Sequence, residues 1–323
     1  MTICYTNPNA LSHRTLATIS PIMVLLLFLS VASGCTTFST MTKATHTVAA
    51  NAGTAGKHLN KIIGIAVFGY KTFPVDFSLE DTFQNILVKE IRSACPKLVV
   101  ITPDDTSFPE VLKYPPRYAS GKIDNFVLSQ KGRQVGLNSI VVGSPIDVSE
   151  AFEEKGHLWF KDTHNFLRFQ IETDVYDTAT GAKLLGENVI CKIEMNPAYM
   201  DKIKEKNYMI IPEFNEAMIT VAGQIAEKLC DEVAFQPWKG YVTEVVDKQI
   251  TLSAGYKTGL KAGDILETYD SKDAIEGVDS QRFYHSGKKT GEIKITHVNP
   301  DHSNAILISG KDISAGDVAL FKD

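Results

Sequence analysis

The chain has 323 residues and a net charge of -5, and 44% of its residues are hydrophobic and 22% charged. This is the composition of an ordinary globular protein with room for one or two sizeable cores. No basic run is long enough to form a phosphate-binding stripe, and an acidic body is repelled by DNA and anionic lipid, so the composition excludes nucleic acid as a partner.

An apolar run near the amino terminus ends in small residues and a cysteine. Arg14 precedes the run, which extends over residues 21–31 and leads into Ala32-Ser33-Gly34-Cys35. A basic region, a short apolar core and a small-residue cleavage site indicate a secretory signal. The ending resembles that of bacterial lipoprotein signals, which implies a signal peptide over residues 1–34 and an acylated Cys35 as first residue of the mature chain. A plain membrane-anchoring helix is the alternative.

The residue after the cysteine is Thr36 and not an aspartate. By resemblance to lipoproteins of two-membrane bacteria, this implies a lipid anchor in the outer membrane with the protein facing the periplasm. Residues 35–60 are rich in Thr, Ala, Ser and Gly, too poor in large hydrophobic residues to build a core, and are predicted to be a flexible tether. A helix over residues 43–55 that folds back on the body is the alternative.

Residues 61–236 mix strands and helices and are predicted to be one α+β domain. The pattern first predicts a buried strand over 62–68, a helix from Ser78 that Pro96 ends, and a strand over 98–101. A helix over 125–135 that Gly136 ends and a buried strand over 139–143 follow. The last elements are a half-buried strand over 165–177, a turn at Asp177-Thr178-Ala179-Thr180-Gly181, a return strand over 183–193 and a long amphipathic helix begun by Pro212.

Residues 239–323 hold short strands and glycine turns, the pattern of a small all-β barrel. The predicted strands cover 240–243, 250–252, 265–269, 291–298, 305–308 and 316–321. Pro237-Trp238 marks the boundary between the two domains. A PDZ domain is the competing interpretation, because the sequence GLKAGDIL also occurs there. The absence of a carboxylate-binding glycine loop and of a long closing helix favours the barrel.

Two sets of motifs resemble known envelope proteins. The stretches IIGIAVFGY, GLNSIVVGSPIDV and IETDVYDTATGAKLLGE, with the closing helix, resemble the TolB amino-terminal type of domain. Proteins of that shape include flagellar assembly protein T, the curli secretion lipoprotein and a lipoprotein activator of penicillin-binding proteins. The stretches SAGYKTGLKAGDILETY and GEIKITHV resemble the carboxy-terminal barrel of flagellar assembly protein T. That family has a further amino-terminal domain, where this chain has only the tether.

The five cysteines are Cys4, Cys35, Cys95, Cys191 and Cys230. The first two fall in the predicted signal and anchor. The other three, odd in number and widely spaced, do not form a disulfide framework and are expected to be buried small hydrophobic residues. Oxidation of one pair in the periplasm is the alternative that stays open.

No catalytic motif occurs in the sequence, so neither catalytic residues nor a cofactor are predicted. His157 and His164, with Glu153, Glu154 and Asp162, are metal-ligand types, but Ala151–Asp162 has the pattern of a solvated loop and no metal site is predicted. Asp264 and Asp317 follow glycines at strand starts and are expected to bind backbone N–H groups. Leu158, Trp159 and Phe160 are expected to pack in a core or edge strand, with partner contact as the alternative.

The sequence therefore predicts a non-enzymatic outer-membrane lipoprotein that acts by protein–protein contacts. Resemblance implies assembly of a cell-envelope structure, with the flagellar basal body favoured and flagellar components as partners. The alternatives are a lipoprotein regulator of peptidoglycan synthesis, a curli-type secretion component, and a hydrolase with an unrecognised site. The sequence identifies neither the partner nor the oligomeric state.

Overall fold

The computed structural model describes residues 2–6, 58–68, 79–106, 108–144, 146–157, 160–199, 202–203, 205, 208–278, 281–285 and 287–322. Within these ranges a mixed α+β domain is followed by a closed six-stranded barrel, which confirms the predicted fold class. No helix in these ranges combines the length and apolar character needed to cross a bilayer. Cys35, most of the tether, Leu158 and Trp159 lie outside the described residues, so the lipidation of Cys35 stays a prediction.

The elements have the following bounds. The helices are α1 (Leu79–Ala94), α2 (Glu110–Lys113), α3 (Asn125–Gln134) and α4 (Pro212–Phe235). The strands of the first domain are β1 (Thr2–Thr6), β2 (Lys61–Ile65), β3 (Leu98–Ile101), β4 (Ser139–Gly143), β5 (Asp147–His157), β6 (Phe160–Asp177) and β7 (Lys183–Glu194). Those that follow are β8 (Gly240–Val246), β9 (Gln249–Leu252), β10 (Ile265–Tyr269), β11 (Ala274–Glu276), β12 (Arg282–Tyr284), β13 (Lys289–Val298), β14 (Ser303–Gly310) and β15 (Val318–Phe321).

The first domain is a seven-stranded sheet covered by helices on both faces. Its order is β1-β7-β6-β4-β2-β3, and β5 pairs with β6 beside the end of β4. Strands β2, β3 and β4 are parallel and the remaining pairs are antiparallel. Helices α1 and α4 pack on one face and α2 and α3 on the other. The continuous apolar runs of β2 and β4 follow from this arrangement, because both faces of these strands are buried.

The two long helices form as their sequence patterns predict. Helix α1 ends one residue before Cys95, just ahead of Pro96, and buries Phe83, Leu87 and Ile91. Helix α4 begins at Pro212, whose fixed φ suits the first helical position. Its predicted apolar face is confirmed, since each of the following is buried: Phe214, Met218, Val221, Ile225, Leu229 and Val233.

The barrel closes in the order β10-β13-β14-β9-β8-β15. Its core includes Trp238, from the predicted domain boundary, and Leu59, from the last residues of the predicted tether. The N–H of Asn60 donates to the carbonyl of Thr258, 2.8 Å away. Two chain segments therefore join the domains, one before β2 and one after α4. A hairpin of β11 and β12, which the sequence pattern did not predict, projects from the barrel toward α3.

Cys95 and Cys191 are buried as expected, but the expectation that they and Cys230 are unpaired is wrong. The alternative of one oxidised pair among these three is met by Cys95 and Cys230. Cys95 at the end of α1 is disulfide-bonded to Cys230 on α4. Cys4 in β1 is bonded to Cys191, its direct neighbour in β7. Each pair is more than a hundred residues apart in sequence, 135 for the first and 187 for the second, so only the packing of helices and strands brings the partners together.

A second correction concerns Ala151–Asp162, predicted to be a solvated loop. Residues 151–157 lie in β5 and residues 160–162 in β6, and Glu153 is paired directly with His164. The hairpin extends past the rest of the sheet, so its charged residues are compatible with strand structure. Glu153 forms an ion pair with Lys192, and Nδ1 of His164 lies 2.5 Å from Oε1 of Glu194. Both contacts join a side chain of the hairpin to strand β7.

Candidate functional site at the domain seam

Polar and aromatic side chains of both domains meet at the turn between β6 and β7, a region called the seam below. The turn consists of Asp177-Thr178-Ala179-Thr180-Gly181, and Gly181 has a φ of +78°, as the sequence predicts for a turn that ends in glycine. Oδ2 of Asp177 accepts from the backbone N–H and the hydroxyl of Thr180, at 2.9 and 2.7 Å. The motif thus folds into a rigid turn that fixes the Asp177 carboxylate.

The other carboxylate oxygen of Asp177 accepts from the ammonium group of Lys239. The distance from Nζ to Oδ1 is 2.8 Å, and both side chains are buried. Burial raises the pKa of Asp177, but the Lys239 ammonium and the two Thr180 donors outweigh burial and hold the pKa below its usual value. Asp177 is therefore ionised at neutral pH and joins the sheet domain to the residue that precedes the barrel.

Thr178 and Asn138 make the next contacts across the seam. The hydroxyl of Thr178 lies 2.7 Å from that of Tyr241 in β8, and it also contacts the carbonyl of Leu137. The side chain of Asn138 accepts from the N–H of Ile62 and donates to the carbonyl of Lys239, at 2.8 and 2.7 Å. Asn138 therefore satisfies groups of both domains with one buried amide.

The guanidinium of Arg133, on helix α3, binds four acceptors around the same turn. It donates to the carbonyls of Thr178 and Ala179 in the turn, and to the carbonyl and hydroxyl of Ser271 in the barrel. Arg133 is 5% exposed. A planar group with five fixed donors can join two backbone segments in this way, whereas a lysine could not.

Cations and aromatic rings form a four-layered stack beside this network. The guanidinium carbon of Arg133 lies 3.7 Å from the ring centroid of Tyr284, whose ring stacks on that of Phe126 at 4.3 Å. Arg282 covers the other face of Phe126, at 4.1 Å. The stack holds the β11–β12 hairpin against helix α3, and cation–π contacts of this kind are worth about 0.5–2 kcal/mol each.

A cavity of about 470 Å³ that opens to solvent lies at the seam, between helix α3, strand β8 and the loop that follows β10. Its wall is formed by Phe126, Gln130, Arg133, Gln134, Tyr241, Val242, Thr243, Ser271, Lys272, Tyr284, Ala315 and Gly316. Two of these residues are cationic and none is a carboxylate.

The groups at this site stabilise the fold rather than form an acid–base pair. Asp177 and Lys239 neutralise each other, and the donors of Arg133 are directed at carbonyl and hydroxyl oxygens. Burial raises the pKa of Tyr241. Within the described residues no group of three or more His, Cys, Asp or Glu side chains is arranged for a metal ion.

Both aspartates that were predicted to bind backbone N–H groups make the expected contacts. Asp264 accepts from the N–H of Lys261 at 2.8 Å, and Asp317 accepts from the N–H of Ser314 at 3.2 Å. Both predictions are confirmed. Neither carboxylate lies at the seam cavity.

Some seam residues, among them Asn138 and Asp177, lie in the quoted motifs, which did not identify them as an interface. In the stretch GLNSIVVG, Gly136 lies against the barrel, because a Cβ there would be 2.2 Å from the Ser253 carbonyl. Gly143 lies under the ring of Phe68. Arg133 and Lys239 carried no signal, because lysine and arginine on a helix or before a strand are usually exposed.

Comparison with known proteins assigns no family, since no family model and no curated protein matches the chain. Hypothetical protein CT253 from Chlamydia trachomatis is similar at 11% identity and a TM-score of 0.32, over 53% of this chain and 99% of that one. The PelC dodecamer from Paraburkholderia phytofirmans is similar at 10% identity and a TM-score of 0.27, over 55% and 92%. TM-scores this low support no conclusion, so the resemblances to TolB-type and flagellar domains stay predictions.

Proposed function

We propose that the protein is a non-enzymatic lipoprotein of the outer membrane that acts by protein–protein contacts in the assembly of a cell-envelope structure, with the flagellar basal body favoured. The lipid on Cys35 anchors it, and the two domains face the periplasm. The peptidoglycan-regulator and curli-type roles are the alternatives that the experiments below separate.

The seam is the observation that carries the proposal. A buried ion pair, a buried arginine and an aromatic stack fix the barrel against the sheet domain. Groups that are directed at one another in this way make a rigid scaffold and are poorly placed to transfer protons to a substrate. A rigid pair of domains presents partner surfaces at a constant spacing, which is what an assembly component requires.

The lipid anchor is tested by metabolic labelling with a radioactive or clickable fatty acid. Wild type is expected to be labelled and Cys35→Ser is not, because the mutant lacks the thiol that accepts the diacylglyceryl group. Cys4→Ser is the matched control, since it also removes an amino-terminal cysteine but leaves the predicted anchor intact. Equal labelling of wild type and Cys35→Ser would exclude a lipoprotein.

The cellular role is tested in a deletion strain complemented with wild type or Cys35→Ser. Loss of swimming and of complete basal bodies, restored by wild type only, is the result expected. Normal flagella with altered peptidoglycan cross-linking would support the regulator role instead, and normal flagella with loss of curli would support the secretion role. Turnover of an ester, phosphate or glycan substrate by the purified protein, abolished by one substitution, would falsify the non-enzymatic proposal.

A further inference from the structure

The guanidinium of Arg133 is a buried cation whose hydrogen-bond partners are all neutral. They are the carbonyls of Thr178, Ala179 and Ser271 and the hydroxyl of Ser271. Burial lowers the pKa of Arg133, and the charge of Asp177 opposes this effect from a distance, because both oxygens of Asp177 bind other groups. Buried charges in proteins are generally paired, so the guanidinium lacks a direct counter-charge.

Positive charge is in excess around the buried part of the seam. The carboxylate of Asp177 forms its ion pair with Lys239, whereas Lys61 donates to two backbone carbonyls of α4 and Arg133 donates to the neutral groups named above. Burial and the charge of Lys239 together lower the pKa of Lys61 to about 8, which reflects this excess. An anion that entered the seam would therefore be attracted by more than one cation.

Lys272 adds a second cation to the wall of the seam cavity. Its ammonium donates to the hydroxyl of Ser314 and makes no ion pair within the part of the chain that the structure describes. Two aspartates lie nearby, but Asp270 accepts from the backbone N–H of Lys272, and Asp317 accepts from Ser314. An ammonium group has three donors, so two of them remain for a ligand.

The remaining wall of the cavity suits a short apolar stem that carries one carboxylate. The rings of Phe126, Tyr241 and Tyr284 line it, and its volume of about 470 Å³ is within the range of small-ligand sites. Arg133 uses four of its five N–H donors, so one remains besides those of Lys272. Two cationic donor groups match the two oxygens of a carboxylate better than the three terminal oxygens of a phosphate group.

We propose that the seam cavity binds the carboxylate of an acidic side chain from an exposed segment of a partner protein. The carboxylate lies between the ammonium of Lys272 and the guanidinium of Arg133, and its stem lies against the aromatic rings. Helix α3 and the barrel both contribute to the wall, so the partner recognises the two domains only when they are joined. The partner-protein origin of the carboxylate rests on the proposed function, whereas the carboxylate site itself does not.

The carboxylate is tested with two capped tripeptides and the purified full protein. The probes are acetyl-Gly-Glu-Gly-amide and its neutral analogue acetyl-Gly-Gln-Gly-amide, and saturation-transfer difference NMR measures their binding. The glutamate peptide is expected to bind saturably with millimolar affinity, and the glutamine peptide at least about tenfold more weakly, because it lacks the charge-assisted contacts. Equal affinity of the two peptides, or no saturable binding of the glutamate peptide, would overturn the proposal.

The place of binding is tested by removing one cation at a time from the surface. Lys272→Gln is expected to weaken binding of the glutamate peptide by about fivefold or more. Lys248→Gln is the matched control, since Lys248 is an exposed lysine of the β8–β9 turn outside the cavity wall, and less than a twofold change is expected. Equal effects of the two variants would overturn binding at the cavity. Arg133 is left intact because it joins the two domains.

Two competitors identify the source of the anion. Succinate is expected to displace the glutamate peptide without exceeding its affinity, because the two share only the carboxylate. Succinate that binds more than tenfold tighter than the peptide would assign the site to a free organic acid and overturn the partner protein, and tighter binding of inorganic phosphate would overturn the carboxylate. If the proposed function fails in the deletion strain while the glutamate peptide still binds, the carboxylate site stands and its partner-protein origin is wrong.

Discussion

At the scale of single residues, the seam depends on charges that are buried together. A buried ion pair adds little stability compared with a well-packed apolar pair, but loss of one partner leaves an uncompensated charge. Asp177 and Lys239 form such a pair, and both side chains are buried. Their contribution is therefore best measured by removing one partner at a time.

Lys239→Met is expected to destabilise the protein by about 3–5 kcal/mol, because it leaves the Asp177 carboxylate buried without its cation. Lys183→Met is the matched control, since Lys183 pairs with Asp174 at the surface and its loss is expected to cost about 0–1 kcal/mol. Urea unfolding at pH 7 measures both. Equal small losses in the two variants would show that the buried pair is not coupled to folding.

The same pair predicts a dependence of stability on acid pH. The pKa of Asp177 is lower in the folded protein than in the unfolded chain, so its stabilising contribution is complete above about pH 4 and is lost as the pH falls through the folded value. The difference in unfolding free energy between wild type and Asp177→Asn is expected to shrink below pH 4. A difference that is constant from pH 6 to pH 3 would contradict this assignment.

Lys61 predicts the opposite behaviour at alkaline pH. Burial and the nearby Lys239 lower its pKa from 10.5 to about 8, while its amine still donates to the carbonyls of Val233 and Ala234. Between pH 8 and 10.5 the unfolded chain holds a proton that the folded protein lacks, so stability rises with pH. Wild type is expected to gain stability relative to Lys61→Met over this window, measured by urea unfolding at pH 7.5 and 10. No relative gain would exclude the lowered pKa.

At the scale of elements, replacing either of two glycines by alanine is expected to change stability in opposite directions. One glycine lies close to the barrel backbone, and the other lies within a helix with open space around it. Gly136 ends α3 with a φ of +75°, and a Cβ there would be 2.2 Å from the Ser253 carbonyl of the barrel. Gly136→Ala is expected to cost about 1–3 kcal/mol through backbone strain, with the barrel displaced. Gly223 lies within α4 with open space around it, so Gly223→Ala is expected to stabilise by about 0.5–1 kcal/mol. Thermal melts of both variants check the opposite signs.

The elements that could be predicted from the sequence are those whose signals are local. Helices α1 and α4 have a complete apolar period with a proline at one end, and the barrel strands are separated by glycine turns. The hairpin of β11 and β12 has strands of only three residues each, too short for alternation to be recognised. Strand β1 pairs with β7, which is far away in the sequence, so no local pattern predicts this strand.

The candidate site was less predictable for the same physical reason. The turn at Asp177 was predicted as a turn because glycine and threonine determine its backbone. Its role as the contact for the barrel depends on Arg133 of helix α3, Tyr241 of strand β8 and Lys239, just before that strand, which meet the turn only after both domains have folded. A charged residue that is buried by a second domain does not change the hydrophobic periodicity of its own helix or strand, so the sequence pattern does not reveal its burial.

At the scale of the whole molecule, the two domains share core residues as well as the seam. Leu59 and Trp238 are 4% and 3% exposed in the barrel core, yet both precede residue 239, where the barrel was predicted to begin. The sheet domain and the barrel are also joined by the ion pair of Asp177 with Lys239. The described part of the chain is therefore expected to unfold in one step, although each domain has its own core.

The whole-molecule prediction compares three fragments with the intact protein. Fragment 61–236 keeps strands β2–β7 and both helical layers but lacks β1. It is expected to fold alone, with a lower melting temperature because the polar groups of the seam become exposed. Fragment 239–323 lacks Leu59 and Trp238, and removal of a buried tryptophan alone costs about 3–5 kcal/mol, comparable to the total stability of so small a domain. It is expected to be largely unfolded, and fragment 237–323, which regains Trp238, is expected to show a cooperative melt. Circular dichroism melts measure all three.

Equal melts of 239–323 and 237–323 would show that Trp238 is not part of the barrel core. Failure of 61–236 to fold, with a single transition for the intact protein, would make the chain one cooperative domain.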